Sequence, residues 1–215
     1  MSSEAPEVAL LVLDLLGVFA FALSGGLVAV RKGFDILGVV VLSATAGLGG
    51  GVLRDLLIGA IPPVGVSDWR LVSAAGVAGL VTFAFHPSVR RTEAFVRILD
   101  AIGLGFFAIA GSLKALELGM APLTAVIVGV LTGIGGGMIR DLLAGEVPHI
   151  LAHRELYAIP AFAGTIGYVS AWSAGLDGAT TAVAAALLIT GLRLAAMRWD
   201  WRAPAPRGLD EPHRD

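Results

Sequence analysis

Two Arg-Asp pairs, Arg54-Asp55 and Arg140-Asp141, each stand three residues beyond a run of consecutive glycines, Gly49-Gly50-Gly51 and Gly135-Gly136-Gly137. Both pairs lie inside long apolar stretches, as do Asp14, Asp100, Lys114 and Arg193. A charge at the centre of a membrane helix costs roughly 2.5–3.5 kcal/mol on insertion scales. Such groups therefore face an interior, take partners, and mark routes for ions or polar solutes. Adjacent residues on a helix point about 100° apart, so Arg54 is poorly placed to bridge Asp55. The expected partners lie across the chain's two halves: Arg54 with Asp141 or Asp100, Arg140 with Asp55 or Asp14. The competing reading makes these charges structural ion pairs that fix the register of the halves, with Asp14 and Arg193 snorkelling toward an interface.

The glycines bear on the same chemistry. Glycine costs about 1 kcal/mol relative to alanine inside a helix, so three in a row predict a kink or an unwound stretch. Unwinding frees peptide groups that lipid cannot satisfy, tolerated only in protein or along a watered cavity. Carbonyls freed at Gly49 to Gly51 and Gly135 to Gly137 could replace water around a monovalent cation. The alternative is close packing, because Ser43, Gly47 and Gly51, like Gly129, Gly133 and Gly137, form ridges of small residues.

Other chemistries find little support. There are no cysteines, which excludes thiol catalysis and Cys-ligated metals. Gly47-Leu48-Gly49 and Gly133-Ile134-Gly135 have Val52 and Met138 where a dinucleotide loop needs its third glycine, and no Lys-Ser/Thr follows for a P-loop. His149 and His153 stand four apart but read as a solvated loop rather than a metal site. No catalytic constellation appears, so we expect no enzyme activity, no cofactor and no metal beyond a transient monovalent cation. A net charge of −2 argues against a nucleic-acid partner.

The elements that must carry these residues are membrane helices. The chain has 215 residues, 56% hydrophobic and 15% charged, where soluble domains carry about 25% charged residues. A spanning helix needs about 20 apolar residues, and seven runs qualify as transmembrane helices: roughly 8–30, 36–60, 69–85, 94–116, 121–144, 155–174 and 178–197. We expect one transmembrane domain over 1–200, with the first run retained rather than cleaved because Met1 to Glu7 is acidic. Residues 201–215 read as a disordered cytoplasmic tail. Arg31, Lys32, Arg90, Arg91, Arg97 and Arg154 fall in alternate loops, and Arg198, Arg202, Arg207 and Arg214 in the C-terminal end. That asymmetry places the N-terminus outside and the C-terminus in the cytoplasm of a multi-pass protein of the cell (inner) membrane.

The runs repeat. Shifted by 86 residues, the segment 13–62 matches 99–148 without a gap, with 21 identities in 50 positions. Leu13-Asp14-x-x-Gly17 falls on Leu99-Asp100-x-x-Gly103, and the GGGxxRDLLxGxxP pattern falls on itself. Repeat one covers about 8–86 and repeat two about 94–174, with the last run, about 178–197, outside both. Each unit has three spans. Three is odd, so the second must enter from the opposite side, giving an inverted repeat. Lys114 takes the place of Val28 and breaks the symmetry; a gate or a lipid headgroup would use it.

The doubled GGGxxRD pattern resembles the prokaryotic branch of the trimeric intracellular cation (TRIC) channel family, also catalogued as a glycine transporter repeat family. The resemblance covers about 8–197. It implies a homotrimer with a pore in each protomer, lined by the first, second, fourth and fifth runs. The second and fifth kink at their glycine triplets, and the pore passes potassium in preference to larger or anionic solutes. The expected partners are potassium or other monovalent cations, membrane lipids and further copies of the chain. The alternative is a secondary transporter of a small solute such as glycine, working by alternating access.

Overall fold

The computed structural model describes residues 4–86, 89–152 and 156–201, all helical or in turns. His153, Arg154 and 202–215, on which parts of the loop, orientation and tail readings rest, lie outside the described residues. The helices, in order, are α1 (Glu4–Arg31), α2 (Ile36–Leu57), α3 (Val64–Ser67), α4 (Trp69–Ala84), α5 (Val89–Glu117), α6 (Pro122–Leu143), α7 (His149–Ala152), α8 (Ala158–Ser173) and α9 (Ala179–Arg198). Five of them, α1, α2, α5, α6 and α9, are long and apolar enough to cross a membrane. The third and sixth apolar runs become α4 and α8, only 16 residues each, about 24 Å at the rise of an α-helix.

Local chemistry explains the boundaries. Asp35 caps α2 by accepting from the Gly38 N–H at 2.8 Å, satisfying one of the donors a helix start leaves open. Pro122 opens α6 at the first helical turn, where its missing N–H costs nothing. Gly33 and Gly119 close α1 and α5 with φ of +74° and +72°, and Gly59 and Gly145 close α2 and α6 at +71° each. A left-handed residue after the last turn is where glycine serves best. These four glycines are two repeat-equivalent pairs, so both units end their helices by the same device.

The two units meet reciprocally. A side chain at Gly17 would overlap the Phe107 ring, and one at Gly103 would overlap Phe21. Phe21 and Phe107 themselves pack with ring centroids 5.6 Å apart, and Ser24 donates to Asp100 at 2.7 Å. Positions 17, 21 and 24 of α1 thus meet 107, 103 and 100 of α5. Numbers rise on one helix as they fall on the other, so α1 and α5 run antiparallel.

α2 and α6 cross beside them. A methyl at Gly50 would stand 2.6 Å from the Thr132 carbonyl oxygen, and one at Gly136 would stand 2.6 Å from that of Ala46. Both helices are continuous through their glycine triplets. The expected unwinding is therefore corrected: the peptide groups stay within helical backbone, and Gly49, Gly50, Gly135 and Gly136 instead let two backbones approach. The reason is that the energy lost to helix propensity is regained as packing between helices. α9 lies against α5 and α8, with Ala186 and Thr190 over Gly105 and Ile189 over Gly164. Large apolar side chains such as Leu37, Trp69, Leu123 and Leu187 face outward, as lipid-facing surfaces require.

Candidate conduction site: two buried ion-pair clusters

Apart from Arg193, the charged residues singled out above collect into two clusters, one on α1, α2 and α5 and the other on α1, α5 and α6. In the first, Arg54 of α2 grips Asp14 of α1 with both terminal nitrogens, at 2.7 and 3.1 Å, while its Nε donates to Asp55 at 2.8 Å. Asp55 also accepts from Lys114 of α5 at 2.7 Å and from the Val64 N–H at 2.8 Å. In the second, Arg140 of α6 contacts Asp100 of α5 and the Ser24 hydroxyl of α1, and donates to Asp141 at 2.6 and 2.9 Å. Asp141 accepts from the backbone N–H of His149 at 2.9 Å and lies 3.2 Å from its Nδ1. The Arg54, Asp55, Arg140 and Asp141 side chains are almost wholly buried.

This pairing corrects the expectation that each arginine reaches across to the other repeat's aspartates. Each holds the aspartates of its own unit. The 100° separation of neighbours on a helix is real, but the long arginine side chain folds back so that Nε meets the adjacent carboxylate while the fork reaches the antiparallel neighbour. That geometry engages all three nitrogens of each guanidinium with charged or polar partners. The cross-repeat bonds within the clusters run from Lys114 to Asp55, from Ser24 to Asp100 and from Arg140 to the Ser24 hydroxyl. Lys114 is thereby turned inward, away from a lipid headgroup. Asp14 is paired rather than snorkelling. Arg193 is buried too, its guanidinium 4.7 Å above the centre of the Tyr157 ring.

The clusters are alike in plan and different in charge. Cluster one balances Arg54 and Lys114 against Asp14 and Asp55. Cluster two sets Arg140 against Asp100 and Asp141, with His149 beside them. Asp14 and Ser24 are ten residues apart on α1, so the clusters are separated by about 15 Å along that helix. Phe21, Phe107 and the glycine crossing of α2 and α6 fill the space between. Gly51 is buried, yet a methyl added there would find no atom within 4 Å. Its counterpart Gly137 has the Tyr157 hydroxyl 3.2 Å from that position. A narrow crevice beside Gly137 is lined by Met138, Asp141, Pro148, His149 and Tyr157.

Several of these residues were not singled out in the sequence. Phe21 and Phe107 were findable, since they are equivalent in the repeat. Ser24 and Tyr157 were not, because neither has a matching residue in the other unit. His149, read above as a solvated loop residue, is instead half-buried against Asp141, whose carboxylate raises the imidazole above its ordinary pKa while partial burial opposes the rise.

At the rim of cluster two, Glu146 pairs with Arg31 at 2.7 Å and Lys32 at 3.0 Å. Partial burial pushes the Glu146 carboxyl upward, but the two cations outweigh it and hold it below the usual glutamate range. A depressed carboxyl gives stability that is complete above its unfolded pKa and is lost as pH falls through the folded value. Glu146→Gln should therefore lower the unfolding free energy at neutral pH by up to about 1 kcal/mol. Melting curves of the two proteins should converge well below pH 4.5. A constant gap at low pH would mean that the ion pair is not its source.

Comparison with known proteins places this geometry. A family model described as glycine transporter matches residues 11–87 and again 97–173. A UPF0126 membrane protein of Deinococcus radiodurans is 42% identical over 196 residues, 91% of each chain. The UPF0126 inner membrane protein YadS of Escherichia coli K12 is 38% identical over 204 residues, 94% of this chain and 98% of that one. A crystal structure of the TRIC trimeric intracellular cation channel orthologue from Rhodobacter sphaeroides superposes with a TM-score of 0.83 at 37% identity, covering 89% of this chain and 98% of that one. With two matched repeats, near full-length relatives and a shared fold, the chain is a multi-pass membrane protein that belongs to the prokaryotic trimeric intracellular cation (TRIC) channel family.

Proposed function

We propose that this chain is a monovalent cation channel, preferring potassium, with a conduction path inside each protomer of a homotrimer. The observation that carries the reading is the line of buried charge through the four central helices. It has four carboxylates, Asp14, Asp55, Asp100 and Asp141, against three permanent cations, Arg54, Lys114 and Arg140. These seven groups sum to a net charge of −1, which favours cations over anions. Ionisable groups at such depth are functional by default. The arginines and Lys114 oppose a passing cation unless they stay paired or swing aside, so they are the gate candidates.

In this reading α4 and α8 also cross the membrane, giving seven spans. Two inverted three-span units then share α1, α2, α5 and α6 around the path, and the antiparallel run of α1 and α5 supports that arrangement. The glycine triplets let α2 and α6 bend when the path opens, which is the role left to them once unwinding is set aside. The N-terminus lies outside and the C-terminus inside. The cation-channel and trimer readings are supported by the structural relatives, among them the Rhodobacter sphaeroides channel, which is described as trimeric; these relatives are channels rather than enzymes. Potassium preference and lipid contacts rest on the family resemblance. The description glycine transporter favours one other reading, a carrier that moves a small solute by alternating access.

Planar-bilayer recording of the purified protein separates them. A channel gives unitary current steps, with a reversal potential near the cation equilibrium potential in a KCl gradient and shifted when sodium replaces potassium. Saturable glycine uptake into vesicles without unitary currents would replace the channel by the carrier.

A further inference from the structure

We infer that Tyr157, clamped by α9, is the lid over cluster two. The inference builds on the conduction reading, but what it asserts about access can be tested without it. Three contacts from α9 and its C-terminal end fall on two consecutive residues. The Leu156 N–H donates to the Trp201 carbonyl at 3.2 Å. The Leu156 carbonyl lies 3.5 Å from an Arg193 terminal nitrogen. The Arg193 guanidinium covers the Tyr157 ring, as cation–π attraction favours.

So held, Tyr157 is 6% exposed and directs its hydroxyl onto Gly137, above Asp100. A larger residue than glycine at 137 would displace it. At the repeat-equivalent Gly51, which is also buried, no side chain comes within 4 Å of an added methyl, so nothing takes the place of Tyr157 there. Arg193 is a positioning residue in this scheme: it never touches the path and works through the tyrosine ring.

The chain has no cysteine, so a single engineered thiol reports access without background. Met138→Cys places a thiol in the crevice beside Tyr157, and Gly51→Cys places one in the first unit, where no side chain takes the place of Tyr157. Each full-length protein is reacted in proteoliposomes with a small, charged, water-soluble thiol reagent. The Gly51→Cys rate should be the same with and without Tyr157→Ala in the background. The Met138→Cys rate should rise at least tenfold when Tyr157→Ala is added and when Arg193→Met is added. Arg193→Lys, which keeps a cation over the ring, should restore a rate within threefold of the parent.

An unchanged Met138→Cys rate in Tyr157→Ala would overturn the lid. A rise in Arg193→Met that Arg193→Lys does not reverse would overturn the clamp. Size-exclusion profiles matching the parent certify the fold, and Tyr157→Phe, which retains the ring, is a second variant expected to keep the parent rate. Because labelling needs no current, absent unitary steps with the expected rates would remove the channel reading and leave the lid standing. Normal currents with unaltered rates would do the reverse.

Discussion

Gly50→Ala should destabilise the protein by about 1–3 kcal/mol, the usual cost of overpacking, while Gly51→Ala, one residue on, should be neutral or stabilising. The contrast comes from what each added methyl meets. At Gly50 it would stand 2.6 Å from the Thr132 carbonyl oxygen and 3.1 Å from the Phe107 ring. The first neighbour is backbone, so relief requires α2 and α6 to separate. At Gly51 there is nothing within 4 Å, and alanine regains about 1 kcal/mol of helix propensity. Gly136→Ala should behave like Gly50→Ala, because its methyl meets the Ala46 carbonyl at the same distance.

The double variant Gly50→Ala with Gly136→Ala should cost less than the two singles together, since one separation of the helices accommodates both methyls. Gly50→Leu should abolish folding and flux alike. Chemical unfolding in detergent measures the first set, and bilayer flux the second. Equal stability for Gly50→Ala and Gly51→Ala would refute close packing as the reason for the triplet. Loss of flux in Gly51→Ala with stability intact would assign that glycine to opening.

The doubled motif made the repeat legible in the sequence, and the apolar runs made the membrane helices legible. The aspartates, arginines and lysine of both clusters were legible as well, because a charge in an apolar run has so few explanations. Their pairing was not. The 100° rule describes where Cβ atoms point, whereas Arg54 and Arg140 carry their nitrogens several bonds further and can turn back on themselves. Unwinding at the triplets was a reasonable consequence of glycine's propensity, but propensity is a local term. The contacts of Gly50 and Gly136 are tertiary, and only the crossing of α2 with α6 reveals them. Tyr157 and Ser24 stayed hidden for a related reason: they are ordinary residues until the partner helix brings them to Asp100.

The same asymmetry sets the second large effect: Asp55→Asn should cost about 3–5 kcal/mol, as expected when a buried pair loses one charge, and more than its repeat equivalent Asp141→Asn. Asp55 holds Arg54 and Lys114 at once. Without it, cluster one keeps two cations and a single carboxylate. Arginine does not give up its proton in proteins, so Arg54 keeps its charge on Asp14 while Lys114 loses the carboxylate it held. Asp141→Asn leaves Arg140 facing Asp100, already neutral, and His149 can follow. With the Asp141 carboxylate gone, the main cause that raises the imidazole is removed, and burial and Arg140 then favour its neutral form. The gap between the two variants should be widest with the imidazole neutral and should narrow as pH falls through the histidine range, where a protonated imidazole joins Arg140. Adding Lys114→Met to Asp55→Asn restores neutrality in cluster one and should recover most of the lost stability. Unfolding free energies of the three proteins between pH 5.5 and 8 decide the matter. Equal losses for Asp55→Asn and Asp141→Asn across that range would show that the charge imbalance of the clusters does not govern their stability.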